Sequence, residues 1–129
     1  MTQVSTLTKT FLILCGLAFL SIALQALYDP QLIMDLVQDK LTNTSSRNSI
    51  RAMYGGVHLA LGAYLIYSAI KDAKSALVLL ALYTGGFFFG RITGFLTDGT
   101  DVTPFIISWT FTEFTLFAIS TALLIKLRK

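Results

Sequence analysis

Four stretches of the chain stay apolar for long enough to cross a bilayer: residues 7–28, 50–70, 76–96 and 104–127. About 20 helical residues span the roughly 30 Å of hydrocarbon. A backbone in lipid must satisfy its own hydrogen bonds, so each stretch is predicted to be an α-helix. The short alternating segments of a membrane β-barrel do not occur. In the first stretch, Lys9, an apolar run from Phe11 to Leu20 and the small residues Ser21-Ile22-Ala23 also outline a signal peptide. The apolar run continues to Tyr28, which favours a span.

The connections differ in chemistry. Residues 71–75 read as a tight basic turn, and residues 97–103 as a short acidic loop carrying Asp98, Gly99 and Asp101. The long connection, residues 29–49, opens on Asp29-Pro30, a helix-start signal. Leu32, Ile33, Leu36, Val37 and Leu41 then recur at helical spacing, with Asp35, Gln38, Asp39 and Lys40 off that stripe. A short amphipathic helix lying on the membrane surface or capping the bundle is expected there, followed by a polar loop over residues 43–48. The predicted fold is therefore an all-α membrane protein, a four-transmembrane-helix bundle with a short amphipathic helix in its first loop, as one domain over residues 1–129.

Composition agrees. Hydrophobic residues are 54% and charged residues 13%, about half the charge usual in a soluble domain. The net charge of +3 is too small and too dispersed for a nucleic-acid partner. Lys9, Lys71, Lys74, Lys126, Arg128 and Lys129 fall on one side of a four-span topology, against Lys40, Arg47 and Arg51 on the other. The positive-inside rule then places both termini in the cytoplasm. The single cysteine, Cys15, lies in an apolar run and reads as an inert buried thiol.

Membrane helices associate where small residues let backbones approach. Ala52, Gly56 and Ala60 form one such stripe, and Gly86, Gly90 and Gly94 another. Both are expected to make tight helix contacts, within the chain or with a neighbour.

Ionisable groups inside spans are costly and therefore informative. Arg51, His58, Arg91 and Glu113 all fall in the same half of the bilayer when helix rise is counted from the loop ends. With Tyr54 and Trp109 they are the candidate binding residues, and Gln25 reaches a similar depth. Phe87, Phe88, Phe89 and Phe95 would supply apolar walls. Two cations, a carboxylate and an imidazole suit an anionic or polar head group, so a lipid, an isoprenoid or a quinone is the expected ligand, without a dedicated cofactor. Membrane lipids, a second copy or a partner membrane subunit are the expected partners. Alternatively, His58 and Glu113 act as an acid/base pair in a small membrane enzyme or proton-linked transporter. A plainer alternative is an Arg91–Glu113 ion pair that fixes helix register, with Arg51 snorkelling to the interface. One histidine without a cysteine cluster predicts no metal site.

The runs Asn48-Ser49-Ile50-Arg51-Ala52-Met53-Tyr54-Gly55-Gly56 and Gly90-Arg91-Ile92-Thr93-Gly94-Phe95-Leu96-Thr97-Asp98-Gly99, with the later Glu113, carry a family resemblance. The chain resembles a family of small bacterial membrane proteins catalogued as domain of unknown function 4345, over nearly its whole length. The family commonly has Pro where this chain has Thr100. The resemblance implies a four-helix bacterial membrane protein, expected in the cytoplasmic (inner) membrane, and no activity.

Overall fold

A computed structural model describes residues 4–127. Its elements are α1 (Thr6–Tyr28), a short α2 (Gln31–Met34) that tightens into a 3₁₀ turn (Asp35–Val37), α3 (Thr44–Lys71), α4 (Ala73–Thr97) and α5 (Pro104–Leu127). Among the described residues there is no strand. The four long helices are each long and apolar enough to span a membrane, so the chain is a multi-pass membrane protein. Their outward faces agree: Leu7, Leu24, Leu82, Phe89, Phe111 and Ile125 are exposed. In water a bundle would present polar residues there. Arg128 and Lys129, used above in the charge count, lie outside the described residues.

The helices begin where local side chains cap them. Ser5 accepts from the Thr8 amide at 3.2 Å, Asn43 from Ser46 at 2.8 Å and Asp72 from Ser75 at 3.2 Å. Thr103 accepts from Ile106 at 3.4 Å, with Pro104 as the first helical residue of α5. These caps correct two expectations. The polar stretch 43–48 is not a loop: Asn43 starts α3 there, so polar residues form its first turns. The basic turn over 71–75 shrinks to Asp72, which ends α3 and caps α4.

The amphipathic helix exists but is brief. Gln31 holds it, bonding the Asp39 carbonyl at 2.8 Å and the Leu41 amide at 3.0 Å, which folds the chain back on itself. Gln38 ends the turn in the left-handed region at φ 59°, so Leu41 falls beyond the helix. Asp29 joins the same corner. Its carboxylate caps Gln31 at 3.1 Å and pairs with Arg47 at 2.7 Å.

The long helices pack as two pairs, α1 with α3 and α4 with α5. The first pair is close because two glycines face each other. A Cβ on Gly62 would lie 2.8 Å from the Gly16 carbonyl oxygen, and one on Gly16 would lie 2.9 Å from the Gly62 carbonyl oxygen. The buried core gathers Leu12, Cys15, Leu61, Leu65, Leu77 and Leu80, with Leu123, Leu124 and Leu127 packed against it. All of these lie toward the end that holds the chain termini. Toward the opposite end, where α2 sits, the pairs separate and leave space between them.

Candidate functional site

That space is a cavity of about 690 Å³ between the helix pairs. Phe19 and Ile22 of α1, Tyr54 and His58 of α3, Tyr83, Phe87 and Arg91 of α4, and Trp109 and Glu113 of α5 all line it. Ile33, Met34, Leu36 and Val37 close its loop end. The α2 segment thus caps the bundle, tied to the start of α5 by the Thr103 hydroxyl donating to the Leu36 carbonyl at 3.3 Å.

At the cavity wall Arg91 and Glu113 form a bidentate pair. Arg91 Nε donates to Glu113 Oε2 at 2.7 Å, and Nη2 donates to Oε1 at 2.9 Å. The Glu113 side chain is only 6% exposed and that of Arg91 19%. Such planar, doubly bonded contacts fix orientation as well as neutralise charge. The pair sits between two openings, because Arg91 also faces a second groove of about 570 Å³ lined by Tyr54, Phe87, Gly90, Gly94 and Asp98.

His58 is buried beside it in an aromatic cluster. The preceding turns of α3, Arg51–Val57, are π-helical, a wide turn that recurs near functional sites. In this turn the His58 amide bonds the Gly55 carbonyl, and the Met53 carbonyl lies 3.1 Å from His58 Nδ1. A carbonyl only accepts, so Nδ1 carries a proton and Nε2, 3.2 Å from the Tyr83 hydroxyl, can accept from it. Tyr54 stacks on the imidazole at 5.3 Å between ring centroids, and Phe19 tilts against it at 5.5 Å. On α5, Phe105 and Trp109 stack at 5.5 Å.

Five of the six expected binding residues therefore meet: Tyr54, His58, Arg91, Trp109 and Glu113 line one cavity. Arg51 does not. Its Nε donates to the Leu27 carbonyl at 3.3 Å, so it caps the C-terminal end of α1, where carbonyls lack helical partners. Helical counting placed it on the His58 face, but the π-helical turn alters that register.

Of the two partners expected for the small-residue stripes, the same chain or a neighbour, the first is not found among the described residues. A Cβ on Gly56, Gly86, Gly90 or Gly94 would meet nothing within 4 Å, and Ala52 and Ala60 are exposed. Neither stripe packs within the chain; the Gly86/Gly90/Gly94 stripe lines the second groove instead. The close contacts fall at Gly16 and Gly62, at Gly55, whose Cβ would come within 2.7 Å of Leu27, and at Gly85, whose Cβ would come within 2.9 Å of Phe117. Single glycines facing bulky partners carry no spacing signature. Phe88 packs on Phe114 and Phe89 points outward, so of the phenylalanine run only Phe87 lines the cavity. Tyr83 was missed, although Tyr83, Phe87 and Arg91 recur every fourth residue along one face of α4. Among the described residues no group of three potential ligands could hold a metal ion.

Together these features define a class: a polytopic four-helix bundle, tightly packed at one end and hollow at the other, with an ion pair in the wall of the hollow. Residues 7–124 match the family described as Domain of unknown function (DUF4345), and the chain belongs to that family. No curated protein and no solved structure shows significant similarity to it.

Proposed function

We propose that this protein binds a membrane amphiphile in the cavity between its two helix pairs. The observation that carries this reading is the cavity's side wall. Leu14, Ala18 and Gln25 of α1 and Thr112 of α5 line the cavity and are also exposed on the bundle surface. The slit between α1 and α5 therefore faces the apolar solvent of a spanning bundle, while α2 covers the end. An amphiphile entering sideways would set its head among Tyr54, Arg91 and Trp109 and its tail along Phe11, Leu14 and Leu116, which also line the cavity. From Gln25 to Phe11 the α1 wall runs roughly 21 Å at 1.5 Å per residue, enough for a long chain.

The basic residues Lys9, Lys71, Lys74 and Lys126 support cytoplasmic termini, and in a bacterial inner membrane the cavity would then lie in the outer leaflet. A neighbouring helix, from a second copy or a partner membrane subunit, would find room along Gly86, Gly90 and Gly94. An acid/base or proton-transport role for His58 and Glu113 has less support. Both Glu113 oxygens are engaged by Arg91, and both His58 nitrogens have partners.

Native mass spectrometry of protein released from lipid nanodiscs tests the reading. An amphiphile of defined mass should remain bound to the wild type. It should be lost in Ala18→Phe, which fills the cavity from an exposed position and spares the core. Equal retention by both proteins would overturn the assignment of the cavity.

A further inference from the structure

We infer that the head group this cavity takes is uncharged, planar and rich in hydrogen-bond acceptors, of the quinone type, and not the anionic head of a phospholipid. The inference rests on the amphiphile reading above and deepens it. Charge comes first. Among the cavity-lining residues the one fixed cation, Arg91, is matched by Glu113 at 2.7 and 2.9 Å. A second carboxylate, Asp98, lines the groove on the other side of Arg91. An anion in the cavity would leave water and meet a cation whose charge is already compensated, and an unpaired buried charge is strongly disfavoured.

Hydrogen-bonding capacity comes second. The Thr84 and Thr112 hydroxyls donate to their own helix, to Leu80 and Ser108, and the Gln25 amide nitrogen donates to Ser21. His58 holds the Met53 carbonyl and the Tyr83 hydroxyl. Among the described residues three strong donor groups on the lining side chains have no protein partner, Arg91 Nη1, the Tyr54 hydroxyl and the Trp109 indole N–H, beside the weakly donating Cys15 thiol. Carbonyl oxygens complement donors: a quinone head brings acceptors alone, where a hydroxyl head brings a donor with its acceptors and an ammonium head donors alone.

Shape comes third. Tyr54 stacked on His58, Phe105 stacked on Trp109, and Phe87 against Tyr83 present aromatic surface from three helices. Flat π-surfaces favour offset-stacked or edge-on contact with another ring.

Trp109 is the chain's one tryptophan, so its fluorescence reports on the site directly. Wild-type protein in zwitterionic nanodiscs is titrated with a decyl-tailed benzoquinone, then challenged with monooleoylglycerol or dioleoylphosphatidylglycerol. We expect saturable quenching above the linear collisional background. It should be absent in Ala18→Phe, weakened about three- to tenfold in Tyr54→Phe through loss of one hydrogen bond, and resistant to both competitors. Displacement of the quinone by phosphatidylglycerol would overturn the uncharged head, and displacement by monooleoylglycerol would overturn the planar one; either leaves the amphiphile reading standing. Tyr54→Phe binding as tightly as wild type would overturn the donor argument. Saturable binding of no probe, with native mass spectra also empty, would overturn the inference together with the reading beneath it.

Discussion

Replacing Arg91 by Met and Glu113 by Leu, singly and together, isolates the one ion pair that joins two spans among the described residues. Glu113 lies nine residues into α5 from Pro104, roughly 14 Å along the helix, and Arg91 six residues before Thr97, roughly 9 Å. Glu113 has a short stem and a buried side chain, so Arg91→Met strands its charge nearly completely. Breaking a buried pair in this way costs about 3–5 kcal/mol, and the upper part of that range is expected. Glu113→Leu strands a longer, partly exposed cation that can snorkel toward the near end of α4, so about 3 kcal/mol is expected. The double variant removes both charges and exchanges them for apolar volume. It should lie within about 1 kcal/mol of wild type, since a buried pair contributes little net stability over a hydrophobic replacement. The coupling is then about 6 kcal/mol or more, above the roughly 0.5–3 kcal/mol usual for residues in contact, because each single variant leaves a buried charge unpaired. Equilibrium unfolding in bicelles with a denaturing detergent, followed by helical circular dichroism and Trp109 fluorescence, measures all four corners of the cycle. Additive effects, with coupling under about 0.5 kcal/mol, would show that the two side chains do not meet in the folded protein, and the site described here would be lost with them.

The two kinds of glycine should respond in opposite ways. Gly62→Ala drives a methyl into the Gly16 carbonyl and Leu20 and should destabilise by about 1–3 kcal/mol in the same unfolding assay. Gly90→Ala enters open space and should be neutral or stabilising by up to about 1 kcal/mol through helix propensity; a loss would mean that a neighbouring chain packs there. Arg51→Ala removes the side-chain donor to the Leu27 carbonyl and should cost about 0.5–1.5 kcal/mol in the unfolding assay, while the proposed retention of an amphiphile in native mass spectra should be unchanged. Asp29 should make the α2 corner acid-sensitive. Its carboxyl is held below the usual carboxylate range, first by the Gln31 amide and then by Arg47. Because the folded value is the lower one, its stabilising effect is fully present above the ordinary aspartate value near 4 and is lost as pH falls through the depressed folded value. Hydrogen exchange at the Gln31 amide should accelerate relative to Asp29→Asn only in that acid range. An equal acid response in both proteins would refute the assignment.

Four spans were legible because lipid imposes a single solution on long apolar runs, and the Arg91–Glu113 contact was legible because isolated charges in such runs need partners. The start of α3 was not. Thr44-Ser45-Ser46 has the composition of a loop, and the helix extends through it because Asn43 caps it and Arg47 reaches Asp29 across the corner. The direction of Arg51 was hidden by the π-helical turn that begins at that residue, since counting 3.6 residues per turn presumes the geometry that changes there. The glycine spacing left the partner open for a different reason. Small-xxx-small marks a surface capable of close approach, but whether anything approaches depends on where the opposing helix lies. Here α3 and α4 leave the stripe uncovered.

The same divergence accounts for the site. Gly16 and Gly62 draw α1 and α3 together, and large side chains fill the core at the termini end. The pairs then separate toward α2, and no core aliphatic side chains fill the gap as they do below. Its wall is held by groups that bridge helices: Arg91 to Glu113 from α4 to α5, and His58 to Tyr83 from α3 to α4. Such bridges keep a hollow open where close-packed aliphatic side chains would close it. Their cost in desolvation buys little stability. A sequence selected for a rigid bundle alone would do better with leucines, and the polar bridges around the hollow are what a ligand-binding reading requires.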